Sequence, residues 1–377
     1  MAHIALARKY RPKKFDDIVG QPHISNFLRK AIVNGKISQA YLFTGTRGVG
    51  KTTTARLLAM SVNCENPQNG NPCLKCASCQ DILHGTSMDV IEIDGASNTS
   101  VDDVRKLREE IGYAPVYGKY KVYIIDEVHM LSRGAFNALL KILEEPPEHV
   151  IFVFATTEPH KIPETILSRC QRFDFRRVPE KEIVERFKYI LKEEGFDWED
   201  DALYLIARKA NGSVRDGISL LDQIYSFSDG KITYELTKEI LGIVDYEIAL
   251  NILKNLKEKK LEDVFKIIED LDYSGIDFGS YTEDFLNIVR DVLIAKITPE
   301  YLKTKFTDVN RINNLIQVSM LYSQKELIRF INIINKVLSE MKYSTNPRNS
   351  FEIMMLKLID VFDSFYLSDI IDDLKKK

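Results

Sequence analysis

No apolar run in the sequence approaches the ~18 residues that a membrane-spanning helix needs. The N-terminal Met-Ala-His-Ile-Ala-Leu-Ala-Arg-Lys-Tyr has no hydrophobic stretch of signal-peptide length before its charges begin. Glycine and proline are sparse, 18 and 12 among 377 residues, while 45% of the chain is hydrophobic. That balance argues against a disordered or fibrous chain and leaves enough apolar side chain for two or three cores. An excess of one charge is missing as well. The net charge of −3 speaks against a strongly basic nucleic-acid binder. A soluble, cytoplasmic, multidomain protein with no membrane association is expected.

The total hides an asymmetry. Residues 1–178 carry 24 Lys and Arg against 19 Asp and Glu, whereas 179–377 carry 28 against 36. The mildly positive first half could contact phosphates, although such a surplus is also ordinary surface chemistry.

The first ~180 residues alternate β-rich runs (40–43, 90–93, 121–126, 150–155, 172–175) with helical patterns (51–62, 100–111, 132–145). In the last of these, Phe136, Leu139, Leu140 and Leu143 follow helical spacing until Pro146-Pro147 stops the helix. Strands alternating with helices imply a parallel sheet covered on both faces. After Pro179 the strand signal disappears. The expected modules are an α/β domain over 1–179, a small helical domain over 180–243 and a larger all-helical domain over 244–377.

Gly45-Thr46-Arg47-Gly48-Val49-Gly50-Lys51-Thr52 matches the phosphate-loop pattern, lies after an apolar strand and opens a helix, with Thr53 following. Glycines let successive N–H groups point inward at phosphates beside a helix N-terminus. Lys51 would bridge the β- and γ-phosphates of ATP, and Thr52 would bind Mg²⁺. Val122-Tyr123-Ile124-Ile125-Asp126-Glu127 reads as a buried strand with two carboxylates at its C-terminal end, where open α/β sheets collect ligands. Asp126 would hold Mg²⁺ through water. Glu127 would orient the attacking water; a carboxylate is a weak base, so its position matters more than its proton affinity.

Asp-Glu-Val-His-Met-Leu-Ser (126–132), Leu-Glu-Glu-Pro-Pro (143–147), Ala-Thr-Thr-Glu-Pro (155–159) and Ser-Arg-Cys (168–170) resemble the AAA+ ATPases of replicative clamp loaders, in particular the bacterial gamma/tau family. The resemblance runs from Tyr10-Arg11-Pro12 to the Asn-Pro-Arg near 347, nearly the whole chain. It implies an AAA+ phosphate-loop domain, a helical lid and a helical collar that oligomerises the subunits. It also implies a γ-phosphate sensor at Thr156 or Thr157, with Thr157 preferred, and an arginine finger, Arg169, reaching the ATP of an adjacent subunit. Arg169 also reads as a cation satisfying a helix C-terminus.

Arg215 follows the expected N-cap Ser213 in the first turn of a helix, where a cation is disfavoured. The resemblance makes it a second sensor carried by the lid; otherwise it reads as a solvated arginine. By the same resemblance Arg11, Val19 and Gln21 belong to the segment that packs on adenine, although Asp-Ile-Val-Gly (17–20) also reads as a simple turn. Implied partners are other clamp-loader subunits in a homo- or hetero-oligomeric, pentameric ring, the sliding clamp and primer–template DNA. Arg105, Arg133 and Lys141 are candidate DNA-backbone contacts. Another AAA+ DNA motor of the branch-migration type and a non-hydrolysing ATP-binding scaffold are the rival readings. A longer form in that family adds C-terminal domains that nothing in this sequence matches.

Cys64, Cys73, Cys76 and Cys79 have the spacing of metal ligands, and the Gly/Pro/Asn-rich stretch 66–72 can return the outlying cysteine to the others. Four thiolates would close the shell of one structural Zn²⁺; an iron–sulfur cluster or a redox Cys-x-x-Cys pair are the alternatives. The resembled family carries a zinc module at this place. Cys170 has no cysteine neighbour in sequence and reads as a small buried hydrophobe.

Overall fold

A computed structural model describes residues 5–97, 111–242, 246–305 and 309–363. The expected helix over 100–111, with Arg105, lies outside the described residues except for its last position. Two compact units divide the chain, Met1–Thr237 and Lys238–Lys377.

The first unit is built on a five-stranded parallel sheet. Its strands are β1 (Ala40–Thr44), β2 (Val90–Asp94), β3 (Lys121–Asp126), β4 (Val150–Thr156) and β5 (Gln171–Asp174), in the order β2-β3-β4-β1-β5. Every pairing is parallel. The three central strands are near-continuous apolar runs because both faces are covered. Tyr41, Phe43, Val122, Ile124, Ile151 and Val153 share one core with α3 (Lys51–Asn63) and α2 (Pro22–Val33). The alternate side chains Leu42, Tyr123, Ile125, Phe152 and Phe154 face the other core, with α5 (Arg133–Glu144). On α5 the buried residues Phe136, Leu139 and Leu143 form the stripe that the spacing anticipates, and Ser132 caps it by accepting the Ala135 N–H. Each such buried side chain contributes about 2 kcal/mol by leaving water.

The order of the remaining elements is simple. A short α1 (Leu6–Lys9) precedes a 3-10 turn at Phe15–Asp17, α4 (Ala77–His84) follows α3, and α6 (Glu164–Leu167) precedes β5. The lid follows with α7 (Glu180–Glu194), α8 (Asp200–Lys209), α9 (Val214–Phe227) and α10 (Tyr234–Ile240). It is not purely helical. Asp197–Trp198 and Lys231–Ile232 form a two-residue parallel pair, too short for any period to register in sequence. Up to Thr237, within α10, the lid belongs to the same compact unit as the sheet: the Arg215 N–H donates to Gly48 O of the phosphate loop at 3.3 Å, and the Val178 N–H, just after β5, donates to Gly212 O at 3.1 Å.

The second unit is helical throughout its described residues, from Tyr246–Lys257 to Pro347–Asp363. Its core includes Leu253, Phe285, Phe330 and Phe351. On the helix Gln324–Met341 the residues Leu327, Phe330, Ile334 and Val337 are buried, and Ser323 with Glu326 closes a reciprocal capping box. No helix among the described residues is long and apolar enough to cross a membrane.

Candidate nucleotide site and cysteine cluster

Strands β1, β3 and β4 lie side by side and end at one edge of the sheet, which brings their C-terminal residues together. The loop after β1 turns at Gly45, Gly48 and Gly50, all with positive φ, a backbone that only glycine adopts cheaply. Gly48 has a second constraint. A Cβ there would lie 1.9 Å from Ser213 Oγ, so its missing side chain is what lets the lid dock on the loop. Ser213 caps α9 by accepting the Asp216 N–H at 3.2 Å.

Lys51 is buried, and its Nζ donates to Gly45 O at 2.8 Å and Thr46 O at 2.9 Å. Burial lowers the pKa of this ammonium, and Glu127 and Asp126 oppose that shift. Thr52 Oγ1 donates to Asp126 Oδ2 at 2.6 Å. A hydroxyl and a carboxylate in contact beside a lysine-bearing loop fit a hard divalent cation. Val49 is buried, Thr53 half-buried, and Arg47 exposed.

Glu127 follows with φ 44° and ψ 46°, the left-handed region, uncommon for a residue with a Cβ. The turn is supported from β2. Gly95 N–H donates to Asp126 O at 2.8 Å, and a Cβ on Gly95 would lie 2.7 Å from Glu127 O. Thr157 Oγ1 donates to Glu127 Oε2 at 3.1 Å. The two threonines are thus distinct in use. Thr157 reaches the glutamate, while Thr156 is fully buried and its Oγ1 accepts the Glu158 N–H at 3.0 Å. Among the sequence candidates, Lys51, Thr52, Asp126, Glu127 and Thr157 form one contiguous group. Gly95, His129 and Glu158 adjoin it without having been singled out; only the motif Asp-Glu-x-His carried a hint of the histidine.

Arg215 is exposed on the first turn of the lid helix over Gly48. Arg11 is half-buried. Its pKa is lowered by burial and then by Arg56, with Arg215, Glu92 and Asp126 also acting on it. Val19 is half-buried. Gln21 is fully buried; its Nε2 donates to Arg176 O at 2.6 Å and its Oε1 accepts the Arg176 N–H at 3.1 Å. Its amide thereby fastens the 17–21 segment to the backbone that follows β5.

Arg169 is not brought to this chain's loop. It donates to Thr165 O at 2.5 Å and pairs with Glu144 at 2.8 Å. Arg133 and Lys141 are exposed on α5.

The four clustered cysteines converge, with all sulfurs within 4.8 Å of one another. Tetrahedral thiolates around one ion with metal–sulfur distances near 2.3 Å stand about 3.8 Å apart, so the group fits a four-sulfur metal site. Leu74 adopts a positive φ of 62°, and this turn aims the Lys75 and Cys76 N–H groups at Cys73 Sγ, at 3.5 and 3.4 Å. These donors lower the Cys73 thiol to about 6, which favours its anionic form. Burial pushes Cys64 and Cys79 up; a bound cation would offset that cost. The return loop is anchored through buried Asn71, which accepts the Phe15 N–H at 2.9 Å and donates to Asp16 at 2.8 Å. Cys170 is half-buried and raised to about 12 by burial, which fits an inert thiol.

Three family models match successive parts of the chain. The family model for the delta subunit of DNA polymerase III matches residues 20–179, the clamp-loader subunit ATPase lid domain 182–230, and domain III of subunits gamma and tau 232–374. DNA polymerase III subunit gamma of Buchnera aphidicola subsp. Acyrthosiphon pisum is 37% identical over 360 residues, covering 95% of this chain and 99% of that protein. The chain belongs to the DNA polymerase III gamma/tau family. A longer gamma/tau relative, subunit tau of Bacillus subtilis, is 45% identical over 358 residues, covering 95% of this chain and 63% of that protein. For subunit tau of Escherichia coli the identity is 44%, over 80% of this chain and 47% of that protein. The chain therefore spans about half to two thirds of the tau subunits it matches.

Proposed function

We propose that the chain is the ATP-hydrolysing subunit of a replicative clamp loader, which uses ATP binding and hydrolysis to load a sliding clamp onto primed DNA within the DNA polymerase III holoenzyme. One observation supports this above others: in a gamma/tau family chain, the Thr52–Asp126 pair and the Glu127–Thr157 pair stand together beside a complete phosphate loop. A scaffold that only bound ATP would have no use for a water-orienting acid held by its neighbour.

In this reading the amides of 45–50 and Lys51 hold the phosphates, and Thr52 and Asp126 hold Mg²⁺, which when bound neutralises charge on the transferred phosphoryl group. Glu127 orients the attacking water, and Thr157 reports the γ-phosphate to it. Arg215 contacts the phosphates from the lid, so lid closure depends on the nucleotide. Arg169 serves the ATP of the adjacent subunit, and Arg11 and Val19 line the base pocket with Gln21 as their anchor. The modules are the ATPase domain over 1–179, the lid over 180–243 and an oligomerising collar over 244–377, in a pentameric ring with other loader subunits. Primer–template DNA meets the ATPase domains, where Arg133 and Lys141 are candidate contacts. The assembled protein acts in the cytoplasm.

ATP turnover measured with and without sliding clamp and primed DNA tests this function. Stimulation requiring both is expected. DNA alone driving translocation would favour a branch-migration motor, and no turnover above a Lys51→Ala control would favour a scaffold.

Cys64, Cys73, Cys76 and Cys79 hold Zn²⁺ in a closed structural site that braces the 15–16 segment through Asn71. Metal analysis is expected to give one zinc per chain. Chelation should lower the melting temperature by several degrees and render the four thiols reactive to a thiol reagent, because structural zinc sites stabilise the folds that carry them. Iron in the purified protein, or a metal-free chain of equal stability, would overturn the assignment.

A further inference from the structure

His129 takes no part in the reading above, yet it stands between the two acidic residues that flank the catalytic edge. Glu127 in its left-handed conformation reverses the chain, and Val128–Met130 form a single 3-10 turn closed by Met130 N–H to Glu127 O at 2.9 Å. Buried Val128 and Leu131 fix that turn in the core. The imidazole is thereby folded back beside the carboxylate two residues earlier, with its side chain only 8% exposed. Its Nδ1 lies 3.0 Å from Thr156 Oγ1 and 3.4 Å from Glu127 Oε2, and its Nε2 lies 3.4 Å from Glu158 Oε2. Glu158 is held in turn by Lys161.

We infer that His129 is a positioning residue for Glu127: its Nδ1 edge and the Thr157 hydroxyl both meet Oε2, which fixes the carboxylate and leaves Oε1 to orient water. No hydrogen bond from the described residues reaches Oε1, whereas Oε2 has the Thr157 donor at 3.1 Å. A glutamate carries three side-chain torsions, and the Thr157 hydrogen bond together with an imidazole packed beside the same oxygen, itself anchored at Nδ1 by Thr156 Oγ1 at 3.0 Å, limits their range. The restriction matters because misplacing a reacting group by about 1 Å can cost a hundred-fold in rate. The Nε2 contact with Glu158 sets the ring plane from the loop after β4, the same loop that carries Thr157. His129 thus ties the end of β3 to the end of β4 across their adjacent edges, acting on the water only through Glu127.

This role rests on the ATPase reading, and its test separates the two. In the assembled clamp-loader complex, kcat and ATP affinity are measured for wild type, Lys51→Ala, Glu127→Gln, His129→Phe, His129→Gln and His129→Asn, with melting temperatures alongside. The Asn amide overlays the Nδ1 edge and keeps a donor beside Glu127; the Gln amide overlays Nε2 and reaches only Glu158. His129→Phe and His129→Gln are expected to lose about ten- to a hundred-fold in kcat with ATP affinity within two-fold of wild type. His129→Asn should recover most of the rate. Equal rates for Asn and Gln, or a kcat loss matched by a loss of ATP affinity, would overturn the positioning role. So would turnover that falls in Glu127→Gln yet persists in His129→Phe. Wild-type turnover no greater than that of Lys51→Ala would instead overturn the ATPase reading and this role with it.

Discussion

Replacing Glu127 with glutamine is expected to lower ATP turnover by about a hundred-fold or more, in the range seen when a positioned acid–base group is lost. That corresponds to about 2.7 kcal/mol of transition-state stabilisation. The substitution keeps shape and one acceptor oxygen, so Thr157 retains a partner and the turn after β3 is undisturbed. In the proposed site the phosphates and metal are held by other groups, Lys51, Thr52 and Asp126, so ATP affinity should change by no more than a few-fold. Loss confined to kcat is the signature of an interaction made only in the transition state. Measuring steady-state turnover beside equilibrium binding of a fluorescent ATP analogue checks it. Unchanged turnover would remove Glu127 from the chemistry.

Arg169→Ala is expected to have an effect of the same class at a different address. Within this chain Arg169 pairs with Glu144 and the carbonyl of Thr165, with a third of its side chain exposed. An exposed pair of this kind is worth roughly 0–1 kcal/mol, whereas an arginine compensating charge on a transferred phosphoryl group is worth 10³–10⁵ in rate. In the proposed role the weak contact would be exchanged for the stronger one when a neighbouring nucleotide is presented. In complexes mixing wild-type and Arg169→Ala subunits, turnover should fall by about 10³-fold at the site facing the altered subunit and persist at the altered subunit's own site. Loss restricted to the altered subunit's own site would make Arg169 a cis residue and end the arginine-finger assignment.

Glu127 and Arg169 also differ in how far sequence could carry them. Glu127 lies at the end of a four-residue apolar run, so its address followed from the strand alone. The structure adds what holds it: Gly95 from the neighbouring strand, Thr157 from the next and His129 from its own turn. Gly95 and Thr157 do not follow from spacing, since each depends on which strands become neighbours, whereas His129 is local to the turn. The choice between Thr156 and Thr157 had the same character. Thr156 ends β4 and Thr157 opens the loop beyond it; the first hydroxyl is buried and accepts the Glu158 N–H, and the second reaches the glutamate. For Arg169 a place at a helix C-terminus was readable from the sequence, but its service to a neighbouring subunit came only from family resemblance.

Gln21 shows the converse. Its place beside the base pocket came from resemblance, and the fold spends both ends of its amide on Arg176. The lid tells a related story about boundaries. Composition changes at Pro179, yet the sheet and the lid belong to one compact unit because Ser213 and Arg215 meet Gly48.

By itself the sequence determined the parallel strands, whose unbroken apolar runs demand cover on both faces. It also determined the phosphate loop, whose glycines have a backbone reason to be there, and the clustered cysteines, whose short spacings limit where their sulfurs can go. These are local demands, met within a few residues of chain. Tertiary structure alone decided the strand order that sets β1, β3 and β4 side by side, the docking of the lid on Gly48, and the approach of Gly95 to the Glu127 backbone and of Thr157 to its carboxylate. Those depend on contacts between segments tens of residues apart, fixed by which apolar faces pack together and invisible to any local period. The sparse prolines and glycines fit the same division. Gly45, Gly48 and Gly50 in the loop, and Gly95 beneath the Glu127 turn, stand where the chain bends sharply or another backbone comes close.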